Sequence, residues 1–191
     1  MHVKKVVLLG DSIRSAYEPA VRELLKDEFE VWGPETNCAF AKWTLYSLRF
    51  WKDKLNEADV IHWNNGLHDV VVFFPEDGSF VKVDEYRDSV RKIARELQKT
   101  GAKVVFATTT PIGPGNEYQR SNRDIDEFNR AAVEILEPMG VIIDDLHSVI
   151  AADPGNLLLP DDTHPNEKGV ELCAKSVAES IFKALNQKNG D

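Results

Sequence analysis

Residues 4–13 read KKVVLLGDSI, an apolar run that ends in a turn of glycine, aspartate and serine. The apolar part, Val6 to Leu9, is too short for the hydrophobic region of a signal peptide or for a membrane span, and it predicts a buried strand over residues 4–9. The same turn residues also cap helices in many proteins, so Ser12 alone is ambiguous. Ligand sites in parallel sheets, however, lie beyond the carboxyl ends of the strands, which is where Ser12 falls.

The rest of the chain alternates between β-rich runs and helical patterns. Further strands are predicted over residues 29–32, 58–63, 103–108 and 141–143. Apolar residues at helical spacing predict helices over residues 17–25, 43–55, 86–97, 125–136 and 170–185, with Pro19 tolerated only in the first turn of the first helix. Strands that alternate with helices indicate right-handed crossovers and a parallel sheet covered on both faces. Five such strands predict an α/β fold with the flavodoxin-like strand order 2-1-3-4-5.

Composition narrows the class of protein. The chain has 191 residues, 23 Lys plus Arg against 32 Asp plus Glu, and a formal charge of −9. We expect one domain over residues 1–191, because no linker or repeat interrupts the pattern. The polar residues 186–191 are expected to form a frayed tail. The acidic balance argues against nucleic acid as a partner, and no apolar window approaches a membrane span. Two distant cysteines, Cys38 and Cys173, are expected to be reduced and buried, and the protein is expected in the cytoplasm.

A second group of reactive residues lies far along the chain, in the segment Asp161-Asp162-Thr163-His164. A neutral histidine can take a proton from a serine, and a carboxylate can fix the tautomer of that histidine. A turn across this spacing can bring Asp161 beside the His164 ring. By itself the segment is a weak signal, because Thr163 or Asn166 could simply start the last helix.

Together, Gly10-Asp11-Ser12 after the first strand and Asp161-x-x-His164 before the last helix resemble the SGNH hydrolases, also called the GDSL esterase and lipase family. The resemblance implies a three-layer α/β/α sandwich. It implies that Ser12 is the nucleophile and that His164 and Asp161 complete a catalytic triad. It also implies hydrolysis of small acyl esters, with acetylated sugars as the expected substrates. No cofactor or metal is expected, and the oligomeric state stays open.

The middle motifs depart from the family pattern. The family's third motif, Gly-x-Asn-Asp, is replaced by Gly66-Leu67-His68-Asp69, so His68 stands where an asparagine would help hold the oxyanion. An imidazole N–H can also donate a hydrogen bond, and Asn65 just upstream could supply an amide instead. Both alternatives stay open. Asp69 is expected to brace the loop.

The family's second motif supplies a glycine whose backbone N–H points at the oxyanion. Here the second strand runs into Gly33-Pro34-Glu35-Thr36-Asn37-Cys38. Counted from the end of the strand, Asn37 fits the position better than Gly33, and asparagine is the residue that most readily replaces glycine at positive φ. The expected oxyanion donors are therefore the N–H groups of Ser12 and Asn37, with Gly33 as the fallback. Gly66 and Thr110 are expected to contact the substrate.

Other functions are compatible with the same pattern. A thioesterase or lysophospholipase of the same family would use the same triad, and the departure at His68 permits a catalytically silent carbohydrate-binding relative. A flavodoxin-like nucleotide or signalling domain is disfavoured, because Gly10-Asp11-Ser12-Ile13 has too few glycines for a phosphate-binding loop.

Overall fold

A computed structural model describes residues 3–187 and shows a five-stranded parallel sheet. The strands are β1 (Lys4–Leu9), β2 (Phe29–Trp32), β3 (Val60–Asn64), β4 (Lys103–Ala107) and β5 (Ile142–Asp144). Their order in the sheet is β2-β1-β3-β4-β5, which confirms the predicted order. All four pairings are parallel, so the carboxyl ends of the strands meet at one edge.

Helices cover both faces of the sheet. They are α1 (Ser12–Leu25), α2 (Ala41–Ser47), α3 (Lys52–Asn56), α4 (Val83–Gln98), α5 (Asn122–Leu136), α6 (Leu146–Ala151), α7 (Pro154–Leu157) and α8 (Glu167–Asn186). Helices α1 and α8 pack together on one face, and α2, α4 and α5 form the other layer. The three-layer sandwich is therefore confirmed. Among residues 3–187 no helix is long and apolar enough to cross a membrane.

Three local predictions differ from the structure. Pro19 lies in the interior of α1 rather than in its first turn, because the helix already begins at Ser12 with Asp11 as its N-cap. The ring is tolerated there because Pro19 faces solvent. The helix predicted over residues 43–55 is instead divided by the 3₁₀ turn Leu48–Phe50, and Trp51 leaves the helical region at φ −107° and ψ 9°. The short helices α6 and α7 were not predicted.

The end of the last helix differs from the sequence-based prediction, whereas the two cysteines agree with it. Asn186 is the last residue of α8 rather than the start of a frayed tail, and residues 188–191 lie outside the described part of the chain. Both Cys38 and Cys173 are buried and unpaired with each other, which confirms the prediction of two reduced thiols.

The edge of the sheet is tightly packed where β1 and β3 end. Gly10 follows β1, and a Cβ atom at this position would lie 1.9 Å from the Asn64 side-chain oxygen. Only glycine lets the two strand ends approach so closely. This approach fixes the turn that carries Ser12 beside the loop that follows β3.

Candidate active site

Ser12 is the first residue of α1 and is half-buried at the end of β1. The side chain of Asp11 accepts a hydrogen bond from the Ile13 N–H at 3.0 Å, which caps the helix and fixes the turn. The Ser12 hydroxyl lies 2.8 Å from Nε2 of His164, although the two residues are 152 positions apart in the chain. The first and last motifs of the sequence therefore meet at one edge of the sheet.

His164 is held by the loop between α7 and α8. Its Nδ1 atom lies 2.7 Å from Oδ2 of Asp161, and its carbonyl accepts a hydrogen bond from the Leu159 N–H at 2.7 Å. Oδ1 of Asp161 accepts the backbone N–H groups of Thr163 and His164 at 3.0 and 2.9 Å. Asp161 and His164 are joined by a tight turn, in which Asp162 has a positive φ of 55°.

These hydrogen bonds set the charge of Asp161. Slight burial raises its pKa, but the backbone and ring N–H groups of His164 and the N–H of Thr163 outweigh this effect and lower the pKa to about 2. Asp161 is therefore ionised at all ordinary pH values and can orient the imidazole through Nδ1–H. An imidazole held in this way presents Nε2 to the Ser12 hydroxyl as a proton acceptor.

His68 lies in the neighbourhood of the same site. Burial lowers its pKa, the charge of Asp11 opposes this shift, and the charges of Arg120 and His164 add to it. The loop that carries His68 is fixed by Arg120, whose Nε donates to the Leu67 carbonyl at 2.9 Å. A histidine with a lowered pKa is neutral near pH 7 and keeps one N–H donor.

Asn64, the last residue of β3, and Asn65, which follows it, are both buried. Asn65 is fully buried: its amide donates to the Ala39 carbonyl at 3.0 Å, and its side-chain oxygen accepts from the Trp63 indole at 3.1 Å. Asn64 is buried against Gly10. Asn65 therefore ties the loop after β3 to the loop after β2. Its burial disfavours it as the side-chain donor to an oxyanion.

The loop after β2 differs from the sequence-based expectation. The positive φ falls on Ala39, at 44°, and not on Asn37, so the conformational reason for choosing Asn37 is wrong. Asn37 is instead exposed, and its side-chain oxygen accepts the Ala39 N–H at 2.7 Å. The Cys38 N–H donates to the Gly10 carbonyl at 3.0 Å, so neither of these bonds uses the Asn37 N–H. Gly33 packs against the Glu18 carboxylate, where a Cβ would lie 2.5 Å from its oxygen.

Gly66 and Thr110 are buried, and the structure does not support their expected contact with substrate. A Cβ on Gly66, at φ 145°, would lie 2.1 Å from the Thr109 hydroxyl oxygen, so this glycine serves close packing. Thr110 is only 2% exposed. Asp69 braces the loop as expected, because its two carboxylate oxygens accept the Ala41 N–H at 3.0 and 3.2 Å, at the start of α2.

Sequence reasoning missed a buried arginine that links α1 to the loop after β2. Arg14 lies two residues after Ser12 and donates to the carbonyls of Pro34 and Thr36 at 2.9 and 3.3 Å. Its other terminal nitrogen pairs with Glu18, which in turn binds Arg22. Charges repeated every four residues along α1 were the available signal, but such ladders are usually solvent-exposed. Here Arg14 is 4% exposed.

No group of three or more histidine, cysteine or carboxylate side chains that could hold a metal ion occurs within residues 3–187. The described site therefore offers a hydroxyl, two imidazoles, a carboxylate and backbone N–H groups for chemistry.

A family model and a curated protein match the sequence of this chain. The family model described as GDSL-like Lipase/Acylhydrolase matches residues 8–172. An acetylxylan esterase of Xylanibacter ruminicola is 29% identical over 91 residues, which are 48% of this chain and 19% of that protein. The chain thus spans about a fifth of the length of this curated relative.

Solved structures share the fold. The lipase/acylhydrolase from Enterococcus faecalis aligns with a TM-score of 0.81 at 20% identity, over 98% of this chain and 100% of that chain. The acetyl xylan esterase AlAXEase aligns with a TM-score of 0.78 at 21% identity, over 93% and 99%. The family match extends from the strand before Ser12 into the helix after His164. The chain therefore belongs to the GDSL-like lipase/acylhydrolase family.

Proposed function

We propose that this protein is a serine esterase that hydrolyses small acyl esters, chiefly acetyl esters of carbohydrate. The observation that carries the proposal is the continuous chain of contacts from Ser12 Oγ to His164 Nε2 at 2.8 Å and from His164 Nδ1 to Asp161 at 2.7 Å. These lengths are normal for hydrogen bonds between a hydroxyl, an imidazole and a carboxylate. The arrangement has the geometry that activates a serine for attack on a carbonyl.

In the first half of the reaction, Ser12 Oγ attacks the ester carbonyl while His164 Nε2 accepts the hydroxyl proton. Ionised Asp161 stabilises the imidazolium that forms. His164 then gives the proton to the leaving alcohol, and the acyl group stays on Ser12. In the second half, a water molecule attacks the acyl-enzyme with His164 as the base, and the proton returns to Ser12 Oγ as the carboxylic acid leaves.

Three donors are proposed for the oxyanion that forms in each half. Ser12 supplies its own N–H at the N-terminus of α1, where the helix dipole favours negative charge. Asn37 supplies a second N–H, because the neighbouring N–H groups of Cys38 and Ala39 already have partners. His68 supplies a side-chain N–H in place of an amide, since its lowered pKa keeps it neutral and Asn65 is buried.

The carbohydrate part of the proposal has separate support. Relatives by sequence and by fold carry the name acetyl xylan esterase. The triad histidine is partly exposed, so the site lies open to solvent and can admit an ester group on a large alcohol. An acidic protein with a charge of −9 also suits a neutral substrate better than a polyanion.

The proposal is tested by replacing the nucleophile. Ser12→Ala should reduce hydrolysis of p-nitrophenyl acetate by about 10⁴-fold or more, as expected for loss of a nucleophile in a triad. Ser15→Ala is the matched control, because Ser15 lies on the same helix, is exposed and donates only to the Asp11 carbonyl. Circular dichroism should show both variants folded. Near-normal turnover by folded Ser12→Ala would overturn the proposed mechanism.

A further inference from the structure

Four aromatic side chains form a continuous row on the surface, which we call the aromatic arc: Phe40, Phe80, Phe73 and Tyr118. Successive ring centroids lie 5.5, 5.3 and 6.4 Å apart, each pair close to edge-to-face. Phe73 and Phe80 are each 53% exposed, and Tyr118 is 42% exposed. A contiguous exposed apolar patch of this kind usually marks a binding surface.

Both ends of the aromatic arc are attached to the loops that border Ser12. Phe40 directly follows Ala39, whose carbonyl is held by Asn65. At the other end the Tyr118 ring lies 4.8 Å from the guanidinium of Arg120, which donates to the carbonyl of Leu67 next to His68. The two ends of the arc are therefore attached to the two loops that we propose for the oxyanion donors.

Backbone hydrogen bonds fix the arc in place. The Phe80 N–H donates to the Val71 carbonyl at 2.6 Å, and the Val72 N–H donates to the Tyr118 carbonyl at 3.2 Å. The loop that carries Tyr118 is also tied to the triad loop, since the Gly113 N–H donates to the Asp162 carbonyl at 2.7 Å. The rings are therefore positioned before a ligand arrives, which lowers the entropic cost of binding.

We propose that the aromatic arc is the subsite that binds the sugar rings of the alcohol part of the substrate; this inference rests on the proposed esterase function. The less polar face of a pyranose ring packs well on an aromatic face, because aromatic side chains combine a large apolar area with a polarised edge. Exposed carboxylates that are near the rings in the sequence, on Glu76, Asp77 and Glu117, can accept hydrogen bonds from sugar hydroxyls. The same carboxylates repel an anionic lipid surface, which is the competing ligand for exposed phenylalanines.

The experiment compares two substrates in several variants. An acetylated xylotriose offers sugar rings to the arc, and ethyl acetate offers only the ester. Phe80→Ala and Tyr118→Ala should each raise KM for acetylated xylotriose about tenfold, the factor for ~1.4 kcal/mol of lost binding. The kcat/KM of Phe80→Ala for ethyl acetate should stay within about twofold of the wild-type value. Phe80→Tyr should restore the wild-type KM, because it keeps an aromatic face.

Phe73 and Phe74 provide a matched pair for the competing ligand. The two are neighbours and both exposed, but within residues 3–187 ring contacts are found for Phe73 and not for Phe74. Phe73→Ala should therefore raise KM for acetylated xylotriose, and Phe74→Ala should not. Equal effects of the two variants, with binding to neutral phosphatidylcholine vesicles, would assign the arc to a lipid surface and overturn the inference.

The remaining outcomes separate the inference from the proposed function. If the arc variants lose the same fraction of activity on both substrates, or keep full activity on both, the sugar subsite is overturned and the esterase function still stands. The sugar subsite is also overturned if the wild-type protein has no higher kcat/KM for acetylated xylotriose than for ethyl acetate. A wild-type protein that hydrolyses neither ester would instead refute the proposed function itself, and with it the subsite.

Discussion

Two histidines near Ser12 have different surroundings, and these give them different capacities. His164 is bonded on one side to an ionised carboxylate and faces the Ser12 hydroxyl on the other. No side-chain hydrogen bond to His68 is found within residues 3–187, and burial lowers its pKa. We therefore expect His164 to gain and lose a proton in each half-reaction, and His68 to remain a neutral donor throughout.

The donor role of His68 predicts a particular kinetic pattern. His68→Ala should lower kcat for p-nitrophenyl acetate about 10²- to 10³-fold, as for the loss of one oxyanion donor, with a much smaller change in KM. His68→Asn should recover part of the rate, because an amide restores an N–H donor. Asn65→Ala is the comparison. A normal kcat for His68→Ala together with a crippled Asn65→Ala would assign the donor to Asn65.

The different protonation of the two histidines predicts the pH profile. The general base must be unprotonated to act, so kcat/KM should fall on the acidic side with the binding of one proton. Asp161, with a pKa of about 2, stays ionised at ordinary pH values and cannot cause the fall. His68→Asn should keep the acidic limb of the profile. Disappearance of that limb in His68→Asn would show that His68 is the group that titrates.

At the scale of secondary-structure elements, one helix positions two parts of the site. Helix α1 carries Ser12 in its first turn and holds the loop after β2 through Arg14, which bonds two carbonyls of that loop. The Asn37 N–H follows these carbonyls directly. Arg14 and its partner Glu18 thus contribute to the distance between Ser12, the proposed nucleophile, and the Asn37 N–H, a proposed oxyanion donor.

This positioning predicts that Arg14→Lys lowers kcat about 10- to 100-fold with little change in KM, because lysine cannot bond both carbonyls and Glu18 at once. Arg22→Lys is the matched control. Arg22 also pairs with Glu18 from the same helix, but its other bond is to the carbonyl of Val31 in β2. Thermal unfolding separates a loss of positioning from a loss of stability. If Arg14→Lys and Arg22→Lys are equally stable and lose kcat equally, Arg14 does not have the positioning role.

The carboxyl group of Asp69, which contacts the first residue of α2, predicts a pH-dependent stability of the fold. Burial raises the pKa of Asp69 to about 8, the Ala41 N–H opposes this rise and the charge of Asp11 adds to it. Between about pH 4 and pH 8 the folded state therefore binds a proton that the unfolded state has lost. Its contribution to the free energy of unfolding falls as pH rises, at most ~1.4 kcal/mol per pH unit.

Asp69→Asn removes this titration while it keeps an oxygen for the Ala41 N–H. The stability of the variant relative to wild type should therefore increase steadily from pH 5 to pH 8, as measured by urea unfolding. A constant difference across this range would contradict the raised pKa of Asp69.

Local patterns were sufficient for some parts of the site and insufficient for others. Ser12, Asp161 and His164 were predictable only from the two segments together, through their resemblance to a family pattern, because each segment alone was a weak signal. Asn37, Gly66 and Thr110 were less predictable. Their conformation and burial depend on contacts between separate loops, such as the amide of Asn65 on the Ala39 carbonyl. Arg14 was missed because its i,i+4 pairing with Glu18 resembles a solvent-exposed charge ladder, and because its other partners are backbone carbonyls, which leave no pattern in the sequence.

At the scale of the whole molecule, the sheet brings together groups that are remote in the chain. Residues 8–9 on β1, 63–64 on β3 and 106–107 on β4 end at the same edge, and α8 closes against α1 on one face. The strand order was predictable because alternating strands and helices allow few right-handed topologies. One hydrophobic core extends across all five strands.

A single core predicts one cooperative unfolding transition. Far-ultraviolet circular dichroism reports the helices, and tryptophan fluorescence reports the four tryptophans, among them buried Trp63 on the central strand β3. The two signals should give coincident curves in urea. Separate midpoints would contradict the assignment of the chain to one domain.

We propose that Ser12 is a nucleophile activated by His164, and covalent labelling with a fluorophosphonate, followed by intact mass and peptide mapping, tests this role directly. We expect one adduct per chain, located on Ser12, absent from Ser12→Ala and formed much more slowly in His164→Ala. No adduct on the folded wild-type protein, or an adduct on any other residue, would contradict it.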